Sequence, residues 1–196
     1  AFLLAEFVRI KSRSLVLEAG AGCGVISLIL ARRFPSCTIS AVEIQEQLFL
    51  FLKRNIINNE LDDRITPVHA DIKACKRLFQ AGSFDHMVSN PPFRSPNSGR
   101  LCLDSCEAVA RHEILLDLSS LLEAACWVLR PGGRFSVIYP AERLSVLLHY
   151  MTTAKIEPKR LRCVHASAGQ QARLVLVEGT KDAGTELRIE KPLFLS

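Results

Sequence analysis

The sequence lacks long apolar runs, and none of its stretches approaches the roughly 18 apolar residues that are needed to cross a bilayer. The opening run AFLLAEFV is short, contains Glu6 and has no basic leader, so it is not expected to be a signal peptide. An initiator Met is also lacking, and we expect that residues preceding Ala1 are missing. These features predict a cytoplasmic protein that contacts no membrane.

Metal-ligand patterns, internal repeats and low-complexity segments are absent as well. The seven cysteines are scattered, include no C-x-x-C pair and match no familiar zinc spacing. Reduced thiols without a bound metal are therefore expected, as in most cytosolic proteins.

The bulk composition is that of a soluble globular protein, because 48% of the residues are hydrophobic and 23% are charged. A chain of 196 residues can form one well-packed α/β domain and is too short for two of ordinary size. The net charge of +5 permits a polyanionic partner without requiring one. We expect a single domain over 1–196, with an N-terminal helix in 1–12, a core over 13–140 and a C-terminal helix and hairpin over 141–196. A monomer is favoured.

Short apolar runs alternate with amphipathic stretches along most of the chain. The apolar runs predict strands over 14–20, 37–44, 65–71, 84–90 and 134–140. The amphipathic stretches predict helices over 23–34, 45–59, 106–130 and 143–154. Two further strands, 160–168 and 172–180, are predicted to form a hairpin across GQQ. The sequence therefore predicts an α/β fold: a mostly parallel seven-stranded sheet, with an antiparallel C-terminal strand pair and helices on both faces.

A glycine-rich turn follows the first predicted strand in LEAGAGCG. Gly20 permits the tight turn, Gly22 lets the backbone approach a ligand, and Gly24 allows close packing of helix against strand. Glu43, at the end of the second strand, is the acidic residue expected to bind a ribose diol. This combination is shared by nicotinamide enzymes and methyltransferases, so both classes remain open at this point.

Two further carboxylates favour a methyltransferase. Glu18 stands at the mouth of the turn, where it would repel a pyrophosphate but would suit the cationic amino acid end of S-adenosylmethionine. Asp71 closes the third strand and offers an acceptor for the adenine amino group of the same cofactor. The predicted cofactor contacts are completed by the residues that follow two of these acids, Ile44 and Ile72, and by Asn90.

The segment SNPPF follows the fourth strand. Together with the glycine turn and the acids, it resembles a class I methyltransferase with the [DNS]-P-P-[YFW] signature of amino-group methylation. The resemblance implies a Rossmann-like fold and a catalytic set of Asn90, Pro91, Pro92 and Phe93. The Asn90 side-chain oxygen and the Pro91 carbonyl would accept hydrogen bonds from the target amine, and Pro92 would keep Pro91 extended. Phe93 would stack on the target ring, a contact worth roughly 1–3 kcal/mol.

Further segments resemble the bacterial tRNA1(Val) adenine-37 N6-methyltransferase family: AFLLAEFV, the RHE at 111–113, LRPGGRFSVIYPAERL, EPKRLRCVH and EKPLFL. This resemblance covers almost the whole chain. It implies transfer of a methyl group from S-adenosylmethionine to N6 of adenine in tRNA or another structured RNA, leaving S-adenosylhomocysteine. The loop RSPNSGRLCLDSC departs from the family pattern and puts the identity of the substrate in question.

Basic residues provide candidate phosphate contacts, although a solvated basic edge would show the same pattern. The RNA-binding candidates are Arg94, Arg100, Lys155, Lys159, Arg160 and Arg162. Three alternatives to an RNA methyltransferase remain: a protein-glutamine N5-methyltransferase, a catalytically idle RNA-binding module, and a nicotinamide-dependent oxidoreductase.

Overall fold

The structure is a computed structural model that describes residues 1–91 and 118–195. Its strands are β1 Leu15–Ala19, β2 Thr38–Glu43, β3 Ile65–His69, β4 Phe84–Ser89, β5 Leu129–Pro140, β6 Ile156–His165, β7 Ala172–Lys181, β8 Arg188–Ile189 and β9 Leu193–Phe194. Its helices are α1 Phe2–Phe7, α2 Val25–Arg33, α3 Glu46–Asn58, α4 Cys75–Leu78, α5 Leu118–Val128 and α6 Leu144–Thr153. Two 3₁₀ turns, Ile72–Ala74 and Ala141–Arg143, follow β3 and β5.

The strands form one sheet in the order β3-β2-β1-β4-β5-β7-β6-β8, with β9 also paired to β6. Strands β3, β2, β1, β4 and β5 are parallel, whereas β7 is antiparallel to both β5 and β6. The predicted parallel sheet with an antiparallel C-terminal pair is confirmed. The sheet has nine strands rather than seven, because β8 and β9 add two residues each along β6. Strands this short show no alternation that the sequence pattern could reveal.

Helices cover both faces of the sheet, as predicted. On one face Val16 of β1 packs in a cluster with Leu30 of α2 and Leu52 of α3. On the other face its neighbour Leu17 packs in a second cluster with Leu121 of α5. Successive residues of a strand point to opposite faces, and a strand buried on both faces therefore needs apolar residues at nearly every position.

A buried line of polar side chains crosses the sheet from β4 to β7. The Nε2 atom of His86 lies 2.9 Å from Oγ of Ser136, which donates to Glu178 over 3.2 Å. Burial lowers the pKa of His86 to about 3, and the nearby charges of Arg134 and Arg160 act in the same direction. His86 is therefore uncharged at neutral pH, and its role is structural.

A cluster of ion pairs joins the two ends of the described chain, and Arg160 of β6 lies at its centre. Arg160 donates to Glu178 over 3.0 Å and to Glu190 over 2.9 Å, and it lies 4.3 Å above the ring of Phe7. Glu190 also pairs with Arg9 at 3.2 Å. Partial burial opposes ionisation of Glu190, but the surrounding arginines outweigh it and lower its pKa. The N-terminal segment, β6, β7 and the C-terminal segment are thus held by shared charges.

Candidate active site

The carboxyl ends of β3, β2, β1 and β4 meet at one side of the sheet, which we call the carboxyl edge. Glu43 is in register with His69, and Ala19 is in register with Ser89. The strand order reverses at β1, because β2 and β3 lie to one side of it and β4 and β5 to the other. Open α/β sheets bind their ligands beyond the carboxyl ends at such a switch point. The polar residues that end these four strands therefore surround the expected ligand site.

The glycine turn between β1 and α2 adopts left-handed backbone conformations. The φ angles of Gly20, Gly22 and Gly24 are 70°, 57° and 91°. Residues with a Cβ atom are strained in this region, which explains why glycine occupies all three positions. A Cβ atom added to Gly20 or Gly22 would meet nothing within 4 Å. The turn thus leaves open space over its backbone, as the approach of a ligand requires.

Gly24 allows close packing, as predicted, but the element that packs against it is helix α3. An added Cβ atom would lie 2.5 Å from Cδ1 of Leu52. Leu52 belongs to α3, so the predicted close packing of helix against strand is in fact packing of the turn against α3. The missing side chain lets α2 begin directly beside that helix.

Glu43 holds the glycine turn to the end of β2. Its Oε2 atom accepts a 2.7 Å hydrogen bond from the backbone N–H of Gly22, and its Oε1 atom accepts one of 2.8 Å from Gln45. The carboxylate is only 4% exposed. Because a carboxylate has about four lone-pair sites, two acceptor sites remain for a ligand such as a ribose diol. Its position next to the open turn fits the predicted role.

Glu18 lies deeper than the sequence suggested. It is 1% exposed and does not stand at the mouth of the turn. Its Oε2 atom accepts hydrogen bonds from the backbone N–H of Ser27, over 2.9 Å, and from the Ser27 hydroxyl. Ser27 lies in the first turn of α2, where backbone N–H groups lack helical acceptors and favour a carboxylate.

Burial raises the pKa of Glu18 to about 8. The hydrogen bonds from Ser27 oppose this increase, and the charge of Glu43 adds to it. Glu18 therefore retains its proton at neutral pH while the site holds no cation. A cationic group bound beside it would favour release of that proton.

The residues beyond β2 and β3 differ in what they can offer a ligand. Asp71 is half-buried, and its Oδ1 atom accepts a 2.9 Å hydrogen bond from Lys73 that caps the following 3₁₀ turn. Ile44 is 37% exposed and offers an apolar surface, whereas Ile72 is 3% exposed and packs into the core. The predicted contact of the Ile72 side chain with a cofactor is therefore limited by its burial.

His69 belongs to this edge but was missed by the sequence reasoning. Its Nε2 atom lies 3.1 Å from the carbonyl oxygen of Ile44, and its ring stacks on Phe49 with centroids 4.8 Å apart. It is exposed beside Glu43. Its position near the end of a predicted strand was the sequence signal that could have placed it at this edge.

The corner after β4 is tied directly to β1. The hydroxyl of Ser89, which is fully buried, donates a 2.9 Å hydrogen bond to the carbonyl oxygen of Ala19, the last residue before the glycine turn. Asn90 follows, half-buried, and Pro91 is buried. The predicted Pro92, Phe93, Arg94 and Arg100 lie outside the described residues. Ser89 was not singled out from the sequence, yet it fixes the spacing between the corner and the turn.

The predicted RNA contacts in the late segment differ in where they lie and in what they contact. Lys155 precedes β6 and lies at the sheet side opposite the carboxyl edge, because β6 runs in the same direction as β5. Lys159 donates to two backbone carbonyls. Arg160 and Arg162 pair with Glu190. The basic pattern thus includes ion pairs within the protein, and RNA binding by these four residues stays a prediction.

Other features of the described ranges concern metals, thiols and membranes. Across 1–91 and 118–195, no three His, Cys, Asp or Glu side chains converge as metal ligands would. The five cysteines in these ranges are free thiols, and burial raises the pKa of Cys37 and Cys75. No helix in the described part of the chain has both the length and the apolar character to span a bilayer.

The open sheet, the glycine turn after its first strand and the acids at successive strand ends define an α/β protein that binds a nucleotide-like ligand at its switch point. Residues 1–145 match the family model described as the methyltransferase small domain, and the chain therefore belongs to that family. The match includes the glycine turn, the acids and the Asn90 corner.

Curated relatives of similar sequence share one name. The tRNA1(Val) (adenine(37)-N6)-methyltransferase of Porphyromonas gingivalis is 33% identical over 164 residues, which cover 83% of this chain and 64% of that protein. A protein of the same name from Tolumonas auensis is 30% identical over 176 residues, covering 89% and 72%. The chain thus spans less than two thirds of the length of the Porphyromonas relative.

Solved structures show the same fold. A predicted O-methyltransferase from Agrobacterium tumefaciens has a TM-score of 0.80 at 18% identity, covering 98% of this chain and 86% of that one. Geranyl diphosphate C-methyltransferase from Streptomyces coelicolor, in complex with Mg²⁺, geranyl diphosphate and S-adenosylhomocysteine, has a TM-score of 0.65 at 15% identity, covering 92% and 80%. The predicted Rossmann-like methyltransferase fold is confirmed.

Proposed function

We propose that this protein is a cytoplasmic, monomeric enzyme that transfers a methyl group from S-adenosylmethionine to N6 of adenine in RNA, preferentially tRNA. The observation that carries the proposal is the Asn90–Pro91 corner, which the Ser89 hydrogen bond fixes to the strand that leads into the glycine turn. A methyl donor held at the turn and an amine held at the corner would be neighbours. The similarity to tRNA1(Val) methyltransferases supports the substrate class.

The residues of the carboxyl edge fit S-adenosylmethionine. The open space over Gly20 and Gly22 admits a ligand against the backbone, and the remaining acceptor sites of Glu43 suit the ribose diol. Asp71 provides an acceptor for the adenine amino group, and Glu18 provides a carboxylate near the cationic end. When bound, the cofactor supplies an electrophilic methyl group on its sulfonium.

Asn90 and Pro91 would prepare the target amine for attack. The lone pair of adenine N6 is delocalised into the ring, which makes this nitrogen a poor nucleophile. The Asn90 side-chain oxygen and the Pro91 carbonyl would accept hydrogen bonds from its two N–H groups and favour a more tetrahedral nitrogen. Fixed acceptors of this kind cost no reorganisation during the reaction. The cationic methylated amine is acidic and loses its extra proton to water.

The proposal is tested by incubating the protein with methyl-labelled S-adenosylmethionine and bulk unmodified tRNA, followed by digestion to nucleosides. We expect the label in N6-methyladenosine. If the protein binds S-adenosylhomocysteine but labels no RNA, the proposal fails. Label in a release factor would instead identify a glutamine methyltransferase, and affinity for NADH would indicate an oxidoreductase.

Substitution of Gly22 by Ala is expected to weaken S-adenosylhomocysteine binding by roughly tenfold or more, the equivalent of about 1.4 kcal/mol. The added methyl group would occupy the open space over the turn. Gly132→Ala is a matched control, because Gly132 also has a positive φ of 76° and open space, but lies near the start of β5, away from the carboxyl edge. Calorimetric titration measures the affinities. Thermal unfolding measures the loss of stability that backbone strain is expected to cause in both variants.

We expect the two variants to lose similar stability and only Gly22→Ala to lose cofactor affinity. Equal affinities in the two variants would mean that the open space over Gly22 is not the cofactor site.

A further inference from the structure

A cavity opens at the same side of the sheet as the carboxyl edge, outside the cofactor and corner residues. It is a groove of about 710 Å³ between 140–142, at the end of β5, and 170–173, at the start of β7. This volume falls within the range of roughly 300–1,000 Å³ that is typical of small-molecule sites. It would hold one nucleotide.

Strand register relates the groove to the catalytic corner. Ser89 of β4 pairs with Val137 of β5, and Pro140 of β5 pairs with Leu174 of β7. With strands about 4.8 Å apart and a rise of about 3.3 Å per residue, Arg173 lies roughly 10–15 Å from Asn90. A polynucleotide whose target base occupies the corner could therefore place a nearby nucleotide in the groove.

The groove is lined by side chains of types that can bind a nucleotide. Arg173 is exposed, and its side chain makes no hydrogen bond or ion pair with any residue of 1–91 or 118–195. The turn before β7, on the same side of the groove as Arg173, is held by two hydrogen bonds. The Gln170 carbonyl lies 2.7 Å from Nδ1 of His165, and the Gln170 N–H donates to the Ser167 carbonyl. Gln170 and Gln171 are exposed and line the groove.

The charges in the groove indicate how a nucleotide would lie. Arg173 would donate to a phosphate in a forked geometry. Glu142, on the other wall, would repel a phosphate but could accept from an exocyclic amine of a base. Gln170 and Gln171 supply the amide groups that bind base edges.

We propose that this groove binds a nucleotide neighbouring the target adenosine, with Arg173 on its phosphate and the two glutamines and Glu142 on its base. The proposal rests on the RNA methyltransferase function above. An enzyme that takes a base out of its stack must hold the adjoining strand while the base enters the pocket. The groove would supply that hold and would make an RNA strand a better substrate than free adenosine.

Arg173→Ala tests the proposal on a short RNA hairpin with adenosine in its loop. We expect KM for the hairpin to rise roughly tenfold, with weaker binding of all sequences, while kcat and S-adenosylhomocysteine affinity stay unchanged. The slope of log Kd against log salt should fall by about 0.7–0.9, which corresponds to one lost phosphate contact. Arg188→Ala removes the same charge from the exposed strand β8 and should leave KM unchanged.

Fluorescence anisotropy of the labelled hairpin, with S-adenosylhomocysteine present, gives a second readout that does not depend on turnover. Equal losses in Arg173→Ala and Arg188→Ala would overturn the groove proposal and indicate general charge attraction. An unchanged Kd and KM in Arg173→Ala would also overturn it. If the wild-type protein methylates no RNA, the proposed function fails, whereas failure of Arg173→Ala alone in an active enzyme rejects only the groove.

Discussion

Replacement of Asn90 by Ala is expected to lower kcat for RNA roughly 10²–10³-fold, the effect of removing one fixed polar group from a reacting centre. The Asn90 oxygen would be one of two acceptors that orient the amine. Affinity for S-adenosylhomocysteine should change much less than kcat, because the acceptor acts mainly on the amine. Single-turnover kinetics with saturating cofactor measure the loss.

Two further substitutions test whether the loss of turnover in Asn90→Ala comes from the missing acceptor oxygen. Asn90→Asp keeps an acceptor oxygen and should retain more turnover than Asn90→Ala. Asn58→Ala makes the same change at the exposed end of α3 and should behave as wild type. Wild-type turnover in Asn90→Ala would remove the corner from the mechanism, and the function would then need another amine-binding group.

At pH 8 and above, Glu18→Gln is expected to stabilise the cofactor-free protein while weakening the binding of S-adenosylmethionine. Burial raises the pKa of Glu18 from 4.5 to about 8. The unfolded chain ionises this group near pH 4.5, whereas the folded protein retains the proton up to about pH 8. The unfolding free energy therefore falls as pH rises between these two values. Glutamine keeps an acceptor for Ser27 but has no proton to lose.

The same pKa predicts the pH dependence of binding. The cationic end of the cofactor favours ionised Glu18, so affinity should rise with pH up to about 8 and then level off. The slope is at most tenfold per pH unit for one proton released. Calorimetric titration in buffers of different ionisation enthalpy would measure how many protons are released when the cofactor binds.

Glu18→Gln should abolish both the slope and the proton release, whereas Glu60→Gln, which alters an exposed carboxylate after α3, should change neither. A wild-type affinity that does not vary between pH 6 and 8 would show that Glu18 is not coupled to the cofactor.

The sequence predicts the parallel part of the fold well, because its signals are local. Strand β1 shows its burial on both faces in the apolar run around Val16 and Leu17, and the glycines mark the turn that follows. Acids that end neighbouring strands are brought to one edge by the parallel topology alone. For that reason Glu43 and Asp71 could be placed from the chain order.

The remainder depends on distant partners that no local pattern records. Arg160 looks like a surface cation in the sequence, but it is paired with Glu178 and Glu190, residues that reach it only through the sheet. Glu18 was correctly placed at a strand end, but its depth depends on Ser27 and α2 packing over it. The hydrogen bond from Ser89 to Ala19 likewise joins residues 70 positions apart.

The late position of β7 has a consequence for synthesis on the ribosome. Strand β5 lies inside the finished sheet, yet the strand that covers its outer edge begins only at Ala172. The ion pair that links the N-terminal and C-terminal segments joins Arg9 to Glu190, 181 positions later. At roughly 5–20 residues per second, about 10–40 s pass before the nascent chain can make that contact. For about 2–6 s of that time, while the chain grows from Pro140 to Ala172, the outer edge of β5 has no partner strand. A ribosome-associated chaperone would protect this apolar strand from aggregation.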